Sequence, residues 1–233
     1  MREKDTDGTA AEPAFRFIDP PFQFNSPKVA VYPTEVTGHY ILRKMAHRLG
    51  WSSLAGKRVL DFGCGVRSVR TIVNLGLPIG RYVGVDVNKA SIAWLSEHVE
   101  DKRFGFLHIN DANTMYNPKG TAGDGHDALE TLTDERFDVV LAYSVMTHQQ
   151  PDGFERIASV LRRVQAHGGA FYFTGLLSDE PQDFAEQAAN PGGFCVYNRV
   201  YLRSLLDKAG WRVEAMWDGE DHYQQPAVLC RPV

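Results

Sequence analysis

A chain of 233 residues is long enough for one α/β domain with a sizeable core, and a second independent core is not expected. A formal charge of −4 with no polybasic run argues against a long nucleic-acid footprint, and three widely spaced cysteines, Cys64, Cys195 and Cys230, argue against a disulfide framework or zinc site. No apolar run approaches the ~20 residues that cross a bilayer, and no signal-like core follows the charged start, so a cytoplasmic protein without membrane or nucleic-acid partners is expected.

Residues 1–13 are polar and read as a loose tail. Next, Phe15, Phe17, Phe22, Phe24 and Tyr32 are interleaved with Pro13, Pro20, Pro21 and Pro27. That is too much proline for regular structure and too much aromatic surface for a solvated tail. The segment should lie across the body of the domain, either as plain packing or as a lid over a substrate pocket. A helix over 34–49 places Ile41, Met45 and Leu49 on one face, and Gly50 suits its end. Residues 14–56 are thus read as an N-terminal aromatic and helical lid segment, and 57–233 as the main domain.

Within that domain the pattern predicts a strand at 58–62, a helix at 66–75 and a strand at 82–86. A helix at 89–99 and a strand at 104–109 follow. Residues 113–134, with Pro118, Gly120, Gly123 and Gly125, read as an insertion. The fourth strand, 137–143, carries the continuous apolar run Val139-Val140-Leu141-Ala142. Pro151 opens a helix to about 166 with Phe154, Ile157, Leu161 and Val164 inward, and Gly168-Gly169 is expected to end it. A fifth strand at 170–174, a second irregular insertion at 176–193 and a helix at 199–209 come next. Strands at 211–216 and 227–230 finish the chain. Alternating strands and helices predict a doubly wound, mostly parallel, seven-stranded Rossmann-like sheet. The last two strands are joined by a loop of only about ten residues, so they should pair antiparallel.

The stretch Arg58-Val59-Leu60-Asp61-Phe62-Gly63-Cys64-Gly65-Val66-Arg67-Ser68 reads as a buried strand, a glycine turn and a helix start. Gly63 and Gly65 remove the side chains that would keep a ligand off the backbone, and the N–H groups of the helix start face that ligand. Asp61 adds a carboxylate that can hold a cationic amine. An amine at one end and a nucleoside at the other describe S-adenosylmethionine. The rival is a dinucleotide, but its G-x-G-x-x-G pattern is incomplete, because Ser68 stands at the third glycine position. Cys64 reads as a small residue that fits the turn rather than as a nucleophile. Asp86, 23 residues after Gly63, ends the second strand and would take ribose hydroxyls of either cofactor.

This order, with these motifs, resembles the class I S-adenosylmethionine-dependent methyltransferases over residues 57–230. The first family motif matches Val59 to Gly65, and the second matches Val83-Gly84-Val85-Asp86, with Val87 beside it. Asn110-Asp111-Ala112 looks like the adenine-edge contact, where Asp111 would accept from the exocyclic amine, or else a turn acid. The family's third glycine falls on Arg67, which either pairs with the methionine carboxylate or is solvated. The fourth motif matches Phe137 to His148 and implies that Tyr143, Ser144 and His148 stand near the transferred methyl group. The ending Gln224 to Leu229 looks like that of bacterial small-molecule and saccharide methyltransferases.

The resemblance implies a methyl transfer from S-adenosylmethionine, with His148 as general base for a hydroxyl or as a residue that closes the cofactor pocket. The loop Asp218-Gly219-Glu220-Asp221-His222-Tyr223 offers oxygen ligands for Mg²⁺ or is a solvated acidic turn. Tyr32, Glu35, His39, Tyr197 and Asn198 are candidates for lining an acceptor pocket. The Asn/Asp-Pro-Pro-aromatic signature of base or glutamine amino-methylation is absent after the fourth strand. The favoured acceptor is therefore a small molecule, a sugar or another hydroxyl compound. N-methylation of a small metabolite, a non-catalytic S-adenosylmethionine-binding protein and an NAD-dependent oxidoreductase are the alternatives. Nothing in the sequence specifies an oligomeric state.

Overall fold

A computed structural model of the chain describes residues 16–24, 32–111, 117, 119–121, 129, 132, 135–186, 192–219 and 225–233. Its strands are β1 (Arg58–Phe62), β2 (Arg81–Asp86), β3 (Phe104–His108), β4 (Phe137–Ala142), β5 (Gln165–Thr174), β6 (Leu176–Ser178), β7 (Phe184–Glu186), β8 (Cys195–Asn198), β9 (Trp211–Trp217) and β10 (Ala227–Pro232). Seven of them form one sheet in the order β3-β2-β1-β4-β5-β10-β9. β3, β2, β1, β4 and β5 are parallel, and β10 runs antiparallel to both β5 and β9. The chain leaves β1 for β2 and β3 on one side, then returns to β4 on the other. Such a reversal opens a crevice at the carboxyl ends of β1 and β4.

The helices are α1 (Thr34–Arg48), α2 (Arg67–Asn74), α3 (Lys89–His98), α4 (Pro151–Arg163) and α5 (Arg199–Lys208). Successive strand residues point to opposite faces. Val59, Val139, Tyr172 and Leu229 pack with Leu42, Met45, Val69, Ile72 and Leu95 of α1, α2 and α3. Their neighbours Leu60, Val140, Phe171 and Val228 pack with Phe154, Ile157, Leu161, Leu202 and Leu205 of α4 and α5. Burial on both faces explains why the strands read as continuous apolar runs rather than as alternating ones. Among the described residues, no helix is long and apolar enough to cross a membrane.

α1 lies across the first face. At its start, Glu35 accepts from Arg70 Nε at 2.6 Å and Asn74 Nδ2 at 2.8 Å. At its end, Arg48 Nη1 donates to Tyr172 Oη at 2.7 Å and the guanidinium sits 4.3 Å from the Trp217 ring. Gly38 is needed on the way, since a Cβ there would stand 2.0 Å from Thr71 Oγ1. The described aromatic stretch, residues 16–24, is held at the far end of α2: Ile18 N–H donates to Asn74 Oδ1 at 2.8 Å, and Asn74 Nδ2 returns a bond to Ile18 O at 3.0 Å. α2 begins at the crevice and Asn74 is its last residue. This part of the segment therefore packs against the helices away from the crevice. The tail 1–13 lies outside the described residues.

Two expectations are corrected. Gly168 and Gly169 do not end α4; they lie inside β5, which starts at Gln165. Gln165 already pairs with Phe137, and the register with β4 shifts between Phe137 and Val139. Gly168 absorbs that irregularity at φ +72°, and a Cβ on Gly169 would stand 2.9 Å from Phe137 O. The described residues of the second insertion are not all irregular either. β6 and β7 flank β8 in a separate three-stranded sheet, parallel on one side and antiparallel on the other. Strands of three or four residues carry too little periodicity to be read from sequence.

Candidate functional site

The glycine turn follows β1 at the head of the crevice. Gly63 N–H and Cys64 N–H both donate to Val85 O, at 2.7 and 3.1 Å, which pins the turn to β2. Gly63 has φ +74° and Gly65 φ +48°, a region that L side chains reach at a cost of roughly 1–2 kcal/mol. The two glycines serve different ends. A Cβ on Gly63 would stand 2.2 Å from Val145 Cγ2, inside the protein, whereas one on Gly65 would meet nothing within 4 Å. Gly65 thus leaves open a strip of backbone that a ligand can approach.

Asp86, at the end of β2, faces the same opening. Its Oδ2 accepts from Gly65 N–H and its Oδ1 from Asn88 N–H, each at 2.8 Å. A carboxylate oxygen accepts two hydrogen bonds, so each retains a position suited to one of two neighbouring hydroxyls. Val87, next in the chain, is partly buried against the core under α4 and α5. Asn88 caps α3 by accepting from Ser91 N–H at 3.1 Å.

Asp61 lies below the turn rather than in the open cleft. It is 2% exposed, accepts from Tyr82 Oη at 2.8 Å and also bonds Ser68. Burial pushes its carboxyl up to about 6, against the pull of those two hydrogen bonds. Cys64 is buried with its sulfur against Gly84, where a Cβ would come within 2.8 Å. Burial raises its thiol well above the ordinary range, and the charges of Asp86 and Asp61 raise it further. It fills space, as its position in the turn suggested.

Arg67 opens α2, with its guanidinium 5.8 Å from the Tyr143 ring. Asp111 is 8% exposed and pairs with Arg156 Nη2 of α4 at 3.1 Å. Sequence reasoning missed Arg156; its position between the inward Phe154 and Ile157 was the available signal. Ala112 lies outside the described residues.

Just past β4, Ser144 has φ 59°. Three hydrogen bonds hold it there. Ser144 N–H donates to Thr174 Oγ1 at 2.8 Å, Thr174 Oγ1 donates to Gln225 Oε1 at 2.7 Å, and Gln225 Nε2 donates to Ser144 Oγ at 3.0 Å. This ring joins the ends of β4 and β5 to the start of β10. Thr174 and Gln225 were not foreseen. Tyr143, Tyr172 and Gln225 line a small pocket with Tyr40, Lys44 and Arg48 of α1.

His148 ends a short 3₁₀ turn, Met146–His148, and its Nδ1 lies 2.7 Å from Gly193 O. A carbonyl only accepts, so the bond assigns the proton to Nδ1 and makes Nε2 the acceptor atom of the neutral ring. Phe194 stands beside the imidazole with ring centres 5.9 Å apart.

Several expected pocket residues have other work. Burial acts to raise the Glu35 carboxyl, but the bonds from Arg70 and Asn74 outweigh it and hold it below its usual range. Tyr197 is 2% exposed and donates to Gln149 O at 2.5 Å. Asn198 caps α5 by accepting from Val200 and Tyr201 N–H groups. His39 lies partly buried on α1, and Tyr32 is exposed just before it. In the acidic loop, Asp218 is paired with Arg199. Glu220 to Tyr223 lie outside the described residues, and among the described ones no cluster of His, Cys, Asp or Glu could hold a metal ion.

The same architecture occurs in solved methyltransferases. The glycopeptide N-methyltransferase MtfA, complexed with S-adenosylmethionine, is 14% identical over 84% of this chain and 95% of its own, with a TM-score of 0.56. A methyltransferase from Clostridium acetobutylicum ATCC 824, described as S-adenosylmethionine-dependent, is 11% identical over 90% of this chain and 96% of its own, with a TM-score of 0.54. Magnesium protoporphyrin IX methyltransferase (ChlM) from Synechocystis PCC 6803 is 12% identical over 85% and 79%, with a TM-score of 0.52. These likenesses are in fold. A family model described as a methyltransferase domain matches residues 37–216, from α1 into β9, and the chain belongs to that methyltransferase family in its class I, Rossmann-like form.

Proposed function

We propose that this methyltransferase takes its methyl group from S-adenosylmethionine and delivers it to a hydroxyl of a small molecule, with a sugar as the favoured class and His148 as the base. The donor's sulfonium supplies an activated methyl group. The chain's own residues supply alignment. Asp86 receives the ribose hydroxyls, and the open backbone at Gly65 lets the donor approach. Asp61 braces the turn from below, Arg67 faces the methionine carboxylate, and Asp111, oriented by Arg156, takes the adenine edge. Alignment of the acceptor with the methyl carbon carries most of the acceleration in such a displacement. A hydroxyl also needs its proton removed, typically worth 10²–10⁴-fold.

The observation that supports this reading best is the His148 Nδ1 contact to Gly193 O at 2.7 Å, which presents Nε2 as a proton acceptor. A nitrogen acceptor, suggested by the glycopeptide N-methyltransferase neighbour, needs only orientation when it is a neutral amine. The test is calorimetric titration with S-adenosylmethionine, followed by turnover of matched sugars and small primary amines. Donor binding with methylated sugars bears the proposal out. Methylation of amines alone, insensitive to His148→Ala, overturns the hydroxyl reading. Binding of NADH in place of S-adenosylmethionine overturns the donor.

A further inference from the structure

We propose that Glu186 is a positioning residue for His148, acting through the Gly192-Gly193 turn. The carboxylate ends β7 and makes contacts in two directions. Gln150 Nε2 donates to both its oxygens, at 2.9 and 3.0 Å, and Gly192 N–H donates to Oε2 at 2.9 Å. Gly192 turns the chain at φ +73°, and the next residue's carbonyl is the one that meets His148 Nδ1 at 2.7 Å. One side chain therefore joins the segment that carries the imidazole to the turn that orients it.

The rest of the small sheet closes the same clasp. Tyr197 of β8 donates to Gln149 O at 2.5 Å. His148, Gln149 and Gln150, three consecutive residues, are each held by a different atom of the insert. Gly192 and Gly193 are both buried, so the carbonyl is not free to turn toward water. The Asp–His pair of hydrolytic triads fixes a histidine's tautomer by direct contact. Here the carboxylate fixes the position of a backbone carbonyl, and the carbonyl fixes the tautomer. The energetic logic is the same: in the other neutral tautomer Nδ1 would have no proton for Gly193 O, and Nε2 would have no lone pair for an acceptor proton.

The inference rests on His148 being the base, and its first readout is independent of any acceptor. In protein labelled with ¹⁵N-histidine, the His148 resonances, identified by their loss in His148→Ala, report the tautomer directly. The wild type should show the Nδ1–H form. Glu186→Ala should shift the signal toward the Nε2–H form, while Glu186→Gln, which keeps an acceptor oxygen for Gly192 N–H, should retain the wild-type spectrum. If Glu186→Ala does not fold, Glu186→Asp carries the same expectation, because its shortened carboxylate cannot span both Gln150 and Gly192. A second readout is a double-mutant cycle on turnover. Glu186→Ala should lower kcat by about 10–100-fold beside an intact His148, the range that orienting partners of a histidine command, and by nothing further beside His148→Ala. Its S-adenosylmethionine affinity should match the wild type. An unchanged tautomer, or a further loss in the His148→Ala background, overturns the inference. Failure of the wild type to bind S-adenosylmethionine would instead overturn the donor reading.

Discussion

The two ends of the crevice are built differently. The proposed donor end is mostly one contiguous stretch, from β1 through the glycine turn to Asn88, joined by Asp111 beyond β3, and its backbone N–H groups are held by Val85 O and the Asp86 carboxylate. The proposed acceptor end draws Ser144 and His148, Thr174, Glu186 with Gly192, Gly193 and Tyr197, and Gln225 from four separated parts of the chain. A backbone cradle is dictated by where glycine must stand. A side-chain site is dictated by which distant residues the sheet and its insert bring together.

Five substitutions test that difference. The largest effect should fall at the acceptor end. His148→Ala should lower turnover of a hydroxyl acceptor by roughly 10²–10⁴-fold, with little change in donor affinity measured by calorimetry. Equal loss of both would make His148 part of the donor pocket. At the donor end, Asp86→Ala should weaken S-adenosylmethionine by on the order of 100-fold, since it removes charge-assisted bonds worth roughly 1.5–3 kcal/mol each and leaves two N–H groups unpaired. Affinity within threefold of the wild type would remove Asp86 from the site.

The two glycines divide the donor end further. Gly63→Ala forces a Cβ to 2.2 Å from Val145 Cγ2 and should cost about 2–4 kcal/mol in denaturant unfolding. Gly65→Ala pays only the left-handed backbone, about 1–2 kcal/mol, yet should weaken the donor because its methyl group stands in the cleft. If Gly65→Ala binds the donor normally, the open strip of backbone is not where the ligand lies.

The smallest effect is at Asp61. Its carboxyl sits at about 6 in the folded protein against an ordinary 3.8, so between those values the folded state holds the extra proton. Stability from this group is fully present below the lower value and lost as pH rises through the upper one. The buried charge costs on the order of 2–3 kcal/mol at pH 8. Asp61→Asn removes that cost but leaves amide N–H groups to satisfy at ~1–2 kcal/mol, for a net gain of about 1 kcal/mol. It should also flatten the dependence of unfolding on pH across that window. An unchanged pH profile would mean that Asp61 is not the titrating group.

Legibility followed the same division. The strand-turn-helix run from Arg58 to Asn74 and the acid at Asp86 were readable because each depends on residues adjacent in sequence. The start of β5 was misread. Gly168 and Gly169 carry the local signature of a helix end, but their use is set by pairing with β4 nearly thirty residues earlier. Asp61 was read as a carboxylate for a cationic amine, yet it is buried below the turn against Tyr82, a partner from the next strand that no local pattern reveals. Glu35 and Tyr197 looked available for a substrate because nothing local reveals Asn74 or Gln149 as their partners.

By itself the sequence determined a doubly wound sheet, the glycine turn and the acid that ends the second strand. Those follow from hydrophobic period, glycine's access to positive φ, and the short reach of a strand-helix-strand unit. Only the tertiary structure decided that Asp111 meets Arg156, that Ser144 is held by Thr174 and Gln225, and that the His148 ring is aimed by an insert. Those depend on side chains meeting across the sheet's end after the core has closed, and such long-range geometry leaves no periodic trace in the chain.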